Sequence, residues 1–222
     1  MKITEDLYSY EWSNPFENNC NSFYIGAGAG ILVDPGLSIF LEDLLARMEK
    51  DGIRRGDIRC VINTHSHPDH FEASEMFDSD ERVSIGLLKE EIEFYRNEGR
   101  EIYLMFGLKA PDIGIDMPLD PGPLTLGGET FEIIHVPGHS PGSLALYWPS
   151  RKALFPGDVI FAQNVGRTDF PGGSTELLKD SIRRLSDIEV EYFFPGHLGI
   201  IQGSSRIKQN FRIVMDHSLR YL

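Results

Sequence analysis

The chain has few cysteines, a shortage of basic residues and no long apolar run. Cys20 and Cys60 are its only cysteines, too few for a disulfide framework, which favours a reducing compartment. No segment approaches the roughly 18 consecutive apolar residues of a membrane helix, and the first residues are acidic where a signal peptide would be apolar. We therefore expect no membrane partner and a cytoplasmic location.

The shortage of basic residues also limits the partners. Lysine and arginine total 21 against 34 aspartates and glutamates, a formal net charge of −13. A field of this sign repels nucleic-acid phosphates and anionic membrane surfaces, so nucleic acid is excluded as a partner. Composition is otherwise ordinary, with 41% hydrophobic and 25% charged residues in 222, which excludes disordered, collagen-like and coiled-coil chains.

Strand-like runs alternate with amphipathic helices along most of the chain. Apolar residues from Ser38 to Lys50 recur at helical spacing with Ser38 as a cap, and helices are also expected at 69–77, 175–185 and 204–222. Strands are expected at 7–12, 22–26, 30–34, 58–63, 131–136, 143–148, 153–155 and 192–194. The pattern predicts an α/β protein of one domain, residues 1–222, with a helical insertion at about 86–117.

Two features of the insertion have alternative interpretations. The acidic run 89–93 is most simply a solvated helix face. The aromatic residues near it, from Phe94 to Phe106, either cap a pocket or form core or a dimer contact. A homo-oligomer is therefore one of the options left open.

The two halves of the chain follow a similar order. Strands ending at Asp34 precede a helix, a strand and His65, and strands ending at Asp158 precede a helix, a strand and His197. A tandem duplication predicts two such halves packed sheet against sheet, with the helices outside and the histidine loops at one edge. Ordinary α/β alternation produces the same order, so both explanations remain open.

Five of the seven histidines fall at expected strand ends, where rigid scaffolds place reactive groups. One seven-residue stretch, directly after a strand, contains His65, His67, Asp69 and His70. His139 and His197 each follow a Pro-Gly pair. Imidazoles and a carboxylate at this spacing indicate a site for zinc, iron, manganese or nickel.

These residues resemble the signature of the metallo-beta-lactamase superfamily, His-x-His-x-Asp-His followed by a distant His, an Asp and a last His. The signature is matched, in order, by His65, His67, Asp69, His70, His139, Asp158 and His197. The resemblance runs from about residue 19 to 197. It implies a four-layer αβ/βα sandwich of two mixed β-sheets with helices on the outer faces.

The resemblance also implies two divalent metal ions, zinc, or alternatively iron or manganese. One would be held by His65, His67 and His139. The other would be held by Asp69, His70 and His197. Asp158 would bridge them, and Asp69 and Asp158 would be the catalytic carboxylates.

The segment 166–174 resembles glyoxalase II-like (hydroxyacylglutathione hydrolase-like) thioesterases and persulfide dioxygenases. Arg167 would bind a substrate carboxylate, or else pair with Asp169. Asp34 matches a family turn that supports the site. Ser143 departs from the pattern, because glyoxalase II tends to have a histidine there.

The expected function is a binuclear metal-dependent hydrolase of a small thioester, in which a metal-bound hydroxide attacks the carbonyl. The alternative is a mononuclear iron persulfide dioxygenase using His65, His139 and Asp158. Hydrolysis of a lactone or a phosphodiester on the same site is a further alternative.

Overall fold

The computed structural model describes residues 1–14 and 16–217. The strands are Leu7–Tyr10 (β1), Ser22–Ile25 (β2), Ile31–Val33 (β3), Cys60–Ile62 (β4), Ser84–Leu88 (β5), Met117–Leu119 (β6), Gly122–Leu126 (β7), Glu129–His135 (β8), Leu144–Trp148 (β9), Ala153–Gly157 (β10), Ile160–Phe161 (β11), Asn164–Val165 (β12), Tyr192–Pro195 (β13) and Ile201–Gln202 (β14). The α-helices are Ser38–Lys50 (α1), Pro68–Phe71 (α2), Lys89–Phe94 (α3), Arg100–Met105 (α4), Thr175–Ser186 (α5) and Ser204–Asp216 (α6). No helix in these residues is long and apolar enough to cross a membrane.

Two six-stranded sheets form the centre of the molecule. The first has the order β1-β2-β3-β4-β5-β6, antiparallel as far as β3 and parallel from β3 to β6. The second has the order β14-β13-β10-β9-β8-β7, in which only β10 and β13 run parallel. Both sheets are therefore mixed, as expected.

Side-chain alternation along the strands builds the layers. In β3, Ile31 and Val33 enter the core between the sheets, whereas Leu32 packs with Leu41 and Leu44 of α1 on the outer face. The second sheet does the same, with Phe155 facing the other sheet. Its outer face is covered by apolar residues of α5 and α6. The four-layer sandwich is thereby confirmed.

The helices differ from the predictions in their caps and ends. Helix α1 has the predicted bounds, but Ser38 is its first residue and Leu37 is the N-cap. Glu72 accepts hydrogen bonds from the Ser38 N–H and hydroxyl. The helix expected at 69–77 divides into α2 and a 3₁₀ turn, Glu72–Phe77. The C-terminal helix ends at Asp216, and residues 218–222 of its expected span lie outside the described residues.

The segment 86–117 is more than a helical insertion. Its ends belong to β5 and β6, which pair in parallel in the first sheet. Between them lie α3, a π-helical turn at Tyr95–Gly99 and α4. The prediction that the acidic run 89–93 is a solvated helix face was wrong at Glu91, which is completely buried.

The two halves repeat one topology. In the first, the hairpin β2-β3 leads through α1 to the parallel neighbour β4. In the second, β9-β10 leads through α5 to the parallel neighbour β13. The carboxyl ends of β3, β4, β10 and β13 are followed by Asp34, His65, Asp158 and His197.

Candidate metal centre

All seven signature residues meet at one edge of the sandwich, on α2 and on loops that follow strands of both sheets. Three overlapping groups have ligand atoms within 4.8 Å of one another: His65, His67 and His139; His65, His70 and Asp158; and Asp69, His70 and His197. Six of the seven are at most 9% exposed. The first and last groups are the two ligand sets that the resemblance implied, apart from the bridging Asp158.

Asp158 lies between the two ligand sets. Its Oδ1 is 3.2 Å from His70 Nε2, and its Oδ2 is 3.3 Å from His197 Nε2 and 3.7 Å from His139 Nε2. Asp69 Oδ2 is 3.2 Å from His197 Nε2 on the far side. A carboxylate in the position of Asp158 can serve both sets.

Hydrogen bonds at Nδ1 turn three imidazoles toward the centre. His139 Nδ1 lies 2.7 Å from the Arg167 carbonyl oxygen, and because a carbonyl only accepts, the proton is on Nδ1 and Nε2 is bare. His70 Nδ1 donates in the same way to Asp34 Oδ2 at 2.9 Å. His65 Nδ1 contacts the Thr64 hydroxyl at 3.0 Å.

Asp34 organises this arrangement from beneath. Its Oδ1 accepts the Thr64 backbone N–H at 2.7 Å, and its Oδ2 accepts the Thr64 hydroxyl at 2.8 Å. Since that hydroxyl donates to Asp34, it accepts from His65. Asp34 is 1% exposed and has a φ of 51°, a left-handed conformation that aspartate tolerates better than most residues. The supporting role expected for Asp34 thus has a geometry that reaches both ligand sets.

The two ligand sets differ in their electrostatics. Burial, followed by repulsion from neighbouring imidazoles, lowers the pKa of His65 and His67 well below the usual range. Burial acts in the same direction at His197, but the charge of Asp158 and the hydrogen bonds to Asp158 and Asp69 together outweigh it and raise that pKa to about 10. Although burial alone raises the pKa of a carboxyl, His197 and His70 hold the pKa of Asp158 well below its usual range. The first set is therefore neutral imidazole, the form that binds metal, and the carboxylates that attract a proton to His197 also attract a metal cation.

The residues fit a metal on a further ground. His67 Nε2 is buried with no hydrogen-bond partner in the described residues, and a buried polar atom in that state is costly. A cation held by His65, His67 and His139, whose ligand atoms lie within 4.8 Å of one another, would bind imidazole nitrogens of this buried group. Imidazole and carboxylate ligands suit zinc, iron or manganese.

A cavity of about 270 Å³ opens over the centre. Its floor includes His67, Asp158 and His197, and its wall includes Phe106, Phe161 and Phe170. Phe170 lies with its ring centroid 5.4 Å from that of His67 and 5.8 Å from that of Phe106. The aromatic residues of the middle segment therefore divide, because Phe106 lines the pocket while Tyr95 and Tyr103 are core.

Arg167 lines the same cavity but is already paired. Its guanidinium makes two hydrogen bonds to Asp169, of 2.8 and 2.7 Å, and lies 4.1 Å from the centroid of Phe170. The structure thus shows the salt bridge rather than a guanidinium held ready for a substrate.

The groups that hold the ligand loops were not predicted from the sequence. Glu91 and Tyr103, both from the middle segment, bond to Ser66 between His65 and His67. Nothing local distinguishes Glu91 from its acidic neighbours. The supporting role of Thr64 could have been suspected from its position between a strand and the first histidine.

Comparison with known proteins adds the family. The family model of the metallo-beta-lactamase superfamily matches residues 15–197. A probable metallo-hydrolase from Methanocaldococcus jannaschii is 33% identical, over 83% of this chain and 90% of the relative. A hydroxyacylglutathione hydrolase from Haemophilus influenzae is also 33% identical, over 76% and 78% of the two chains.

Solved structures show the same fold. The crystal structure of TTHA1623 in a di-iron-bound form has a TM-score of 0.71 and 30% identity, with 86% of this chain and 92% of that one covered. A crystal structure of the B3 metallo-beta-lactamase BLEG-1 has a TM-score of 0.71 and 25% identity, with coverage of 95% and 97%.

Proposed function

The chain belongs to the metallo-beta-lactamase superfamily and is a metallo-hydrolase with a His/Asp metal-binding cluster, and from this premise we propose that it hydrolyses a small thioester at a binuclear centre. The observation that carries the proposal is the position of Asp158, within 3.2–3.7 Å of imidazole nitrogens from both ligand sets. A single-ion site has no need of two complete sets joined by a carboxylate.

The proposed ligands are His65, His67 and His139 for one ion, and Asp69, His70 and His197 for the other, with Asp158 shared. When bound, two divalent cations activate water near neutral pH and polarise the oxygen of the bond under attack. Zinc, iron and manganese all suit this donor set.

The chain's own residues supply the rest of the proposed mechanism. Asp69, 8% exposed and in the cavity lining, is placed to orient a water molecule and to accept its proton. Asp158 keeps the two ligand sets at a constant spacing. Phe106 and Phe170 pack against an apolar acyl group and exclude bulk water from one side of the cavity.

Three observations support a thioester as the substrate. A relative with 33% identity is a hydroxyacylglutathione hydrolase. The cavity of about 270 Å³ is at the small end of ligand sites, which suits a short acyl group. Its aromatic wall offers apolar contact beside a polar floor.

The test combines metal content with turnover of the full chain. We expect about two equivalents of metal per chain, and hydrolysis of short-chain thioesters that His67→Ala and Asp158→Asn abolish. His217→Ala, a histidine exposed at the end of α6, is the matched control and should keep both metal and activity.

Two results would redirect the proposal. One equivalent of iron, with oxygen consumed in the presence of a persulfide, would support a dioxygenase using His65, His139 and Asp158. Turnover of lactones or phosphodiesters but not thioesters would keep the centre and change the substrate class.

A further inference from the structure

A buried carboxylate outside the ligand set holds two of the ligand loops together. Glu91, in the first turn of α3, is 0% exposed and is not a signature residue. Burial of a carboxylate is strongly unfavourable unless the group is fully hydrogen-bonded, so the partners of Glu91 explain its presence. All of those partners lie within three residues of a proposed ligand histidine.

Each carboxylate oxygen of Glu91 serves a different loop. Oε1 accepts the Ser66 backbone N–H at 2.9 Å and the Ser66 hydroxyl at 2.7 Å. Oε2 accepts the Ser140 hydroxyl and the Gly142 N–H, both at 2.8 Å. Ser66 separates His65 from His67, and Ser140 follows His139 in the chain.

Neighbouring contacts tighten the same junction. The Ser140 N–H donates to the Ser143 hydroxyl at 3.1 Å, and the two serine hydroxyls are 2.7 Å apart. Because the Ser140 hydroxyl proton goes to Glu91, Ser143 donates to Ser140, which gives the network one consistent direction. Gly142 lies so close to α3 that any Cβ there would collide with the backbone nitrogen of Glu91.

We propose that Glu91 is a positioning residue that sets the first ligand set, His65, His67 and His139, by joining the two loops that carry it. The inference rests on the ligand assignment proposed above. His67 depends on the junction most, because no hydrogen bond among the described residues holds its ring, whereas Thr64 holds His65 and the Arg167 carbonyl holds His139. The second ligand set has other supports, since His70 is held by Asp34.

The test substitution is Glu91→Gln, which keeps the shape of the side chain. Whichever way the amide is turned, its NH₂ faces a backbone N–H, of Ser66 or of Gly142, and neither can accept. One loop is therefore released. Removal of a group that orients metal ligands typically lowers metal affinity by about 10–100-fold.

The measurement is a titration of the chelator-treated full chain with Co²⁺, followed by visible absorption and by metal analysis after dialysis. We expect one of the two equivalents of Co²⁺ to bind to Glu91→Gln about 10–100-fold more weakly than to the wild type, with altered absorption bands. The other equivalent should bind as in the wild type. Glu129→Gln is the matched control, because Glu129 also accepts two side-chain donors, Trp148 and Ser150, far from the centre. It should load both equivalents normally.

The outcomes separate this inference from the ligand assignment. Glu91→Gln that loads both equivalents with wild-type affinity overturns the role of Glu91, provided that His67→Ala loses one. His67→Ala that loses none overturns the assignment itself. If Glu91→Gln fails to fold, Ser140→Ala removes a single donor from the junction, and unchanged affinity in that variant likewise overturns the proposal.

Discussion

Asp34→Asn changes one atom and is expected to weaken both ligand sets. The Asp34 carboxylate accepts three hydrogen bonds, from the Thr64 N–H, the Thr64 hydroxyl and His70 Nδ1. If the asparagine oxygen keeps the Thr64 N–H, its NH₂ faces the hydroxyl and His70. The hydroxyl then turns to donate to His65, and both imidazoles move their proton to Nε2, the atom that must be bare to bind metal.

Turning the amide does not rescue the arrangement. The oxygen then serves the hydroxyl and His70, but the NH₂ points at the Thr64 backbone N–H, which is buried and has no alternative acceptor. Leaving such a donor unpaired costs about 1–3 kcal/mol of stability. Lost orientation of a ligand costs about 10–100-fold in metal affinity, equivalent to about 1.4–2.8 kcal/mol for each set. The left-handed backbone adds nothing, because asparagine tolerates it as well as aspartate does.

The assay is competition for Zn²⁺ between the protein and a chromophoric chelator, together with urea unfolding of the metal-stripped chain. We expect both equivalents to weaken, unlike Glu91→Gln, where only one does. Asp116→Asn is the control, since Asp116 also accepts a backbone N–H, from Ile85, but lies away from the centre. Wild-type affinity for both equivalents together with unchanged stability in Asp34→Asn would refute the proton arrangement, and loss of only one equivalent would refute the link through Thr64 to His65.

Three further outcomes are expected. Chelation should lower the melting temperature, because metal present at 100 times its Kd contributes about 2.7 kcal/mol to the folded state; an unchanged melting temperature in calorimetry would contradict binding to the folded chain alone. Arg167→Ala should change stability by less than about 1 kcal/mol, since its ion pair with Asp169 is exposed, and a rise in KM with kcat unchanged would show that it also binds substrate. Phe155→Ala should cost about 3–5 kcal/mol in urea unfolding, because its ring is completely buried between the sheets, yet metal bound per folded chain should stay at the wild-type value.

Much of the fold could be predicted because its signals are local. Helix α1 follows from apolar spacing within 13 residues, and its bounds agree with the structure. The strands before His65, Asp158 and His197 are short apolar runs ended by glycine, proline or polar residues. Strands β6 and β7 were missed, because they have alternating exposure at a sheet edge and contain prolines.

The supports of the centre depend on contacts distant in sequence, which no local pattern records. Glu91 bonds to Ser140, and Asp34 bonds to His70, only after the layers have packed. An acidic run alone cannot show which of its members is buried. Likewise, the sequence does not show whether Arg167 pairs with Asp169 or is free to bind a substrate. The folded structure shows the pairing with Asp169.

The origin of the ligands in both sheets has a mechanical consequence. His65, His67 and His70 follow a strand of the first sheet, whereas Asp158 and His197 follow strands of the second. Two metal ions held by these residues would crosslink the layers, in the way that a disulfide closes a loop of more than half the chain. Any motion that slides one sheet over the other would have to break coordination, so this edge of the sandwich would become the last part of the loaded protein to open.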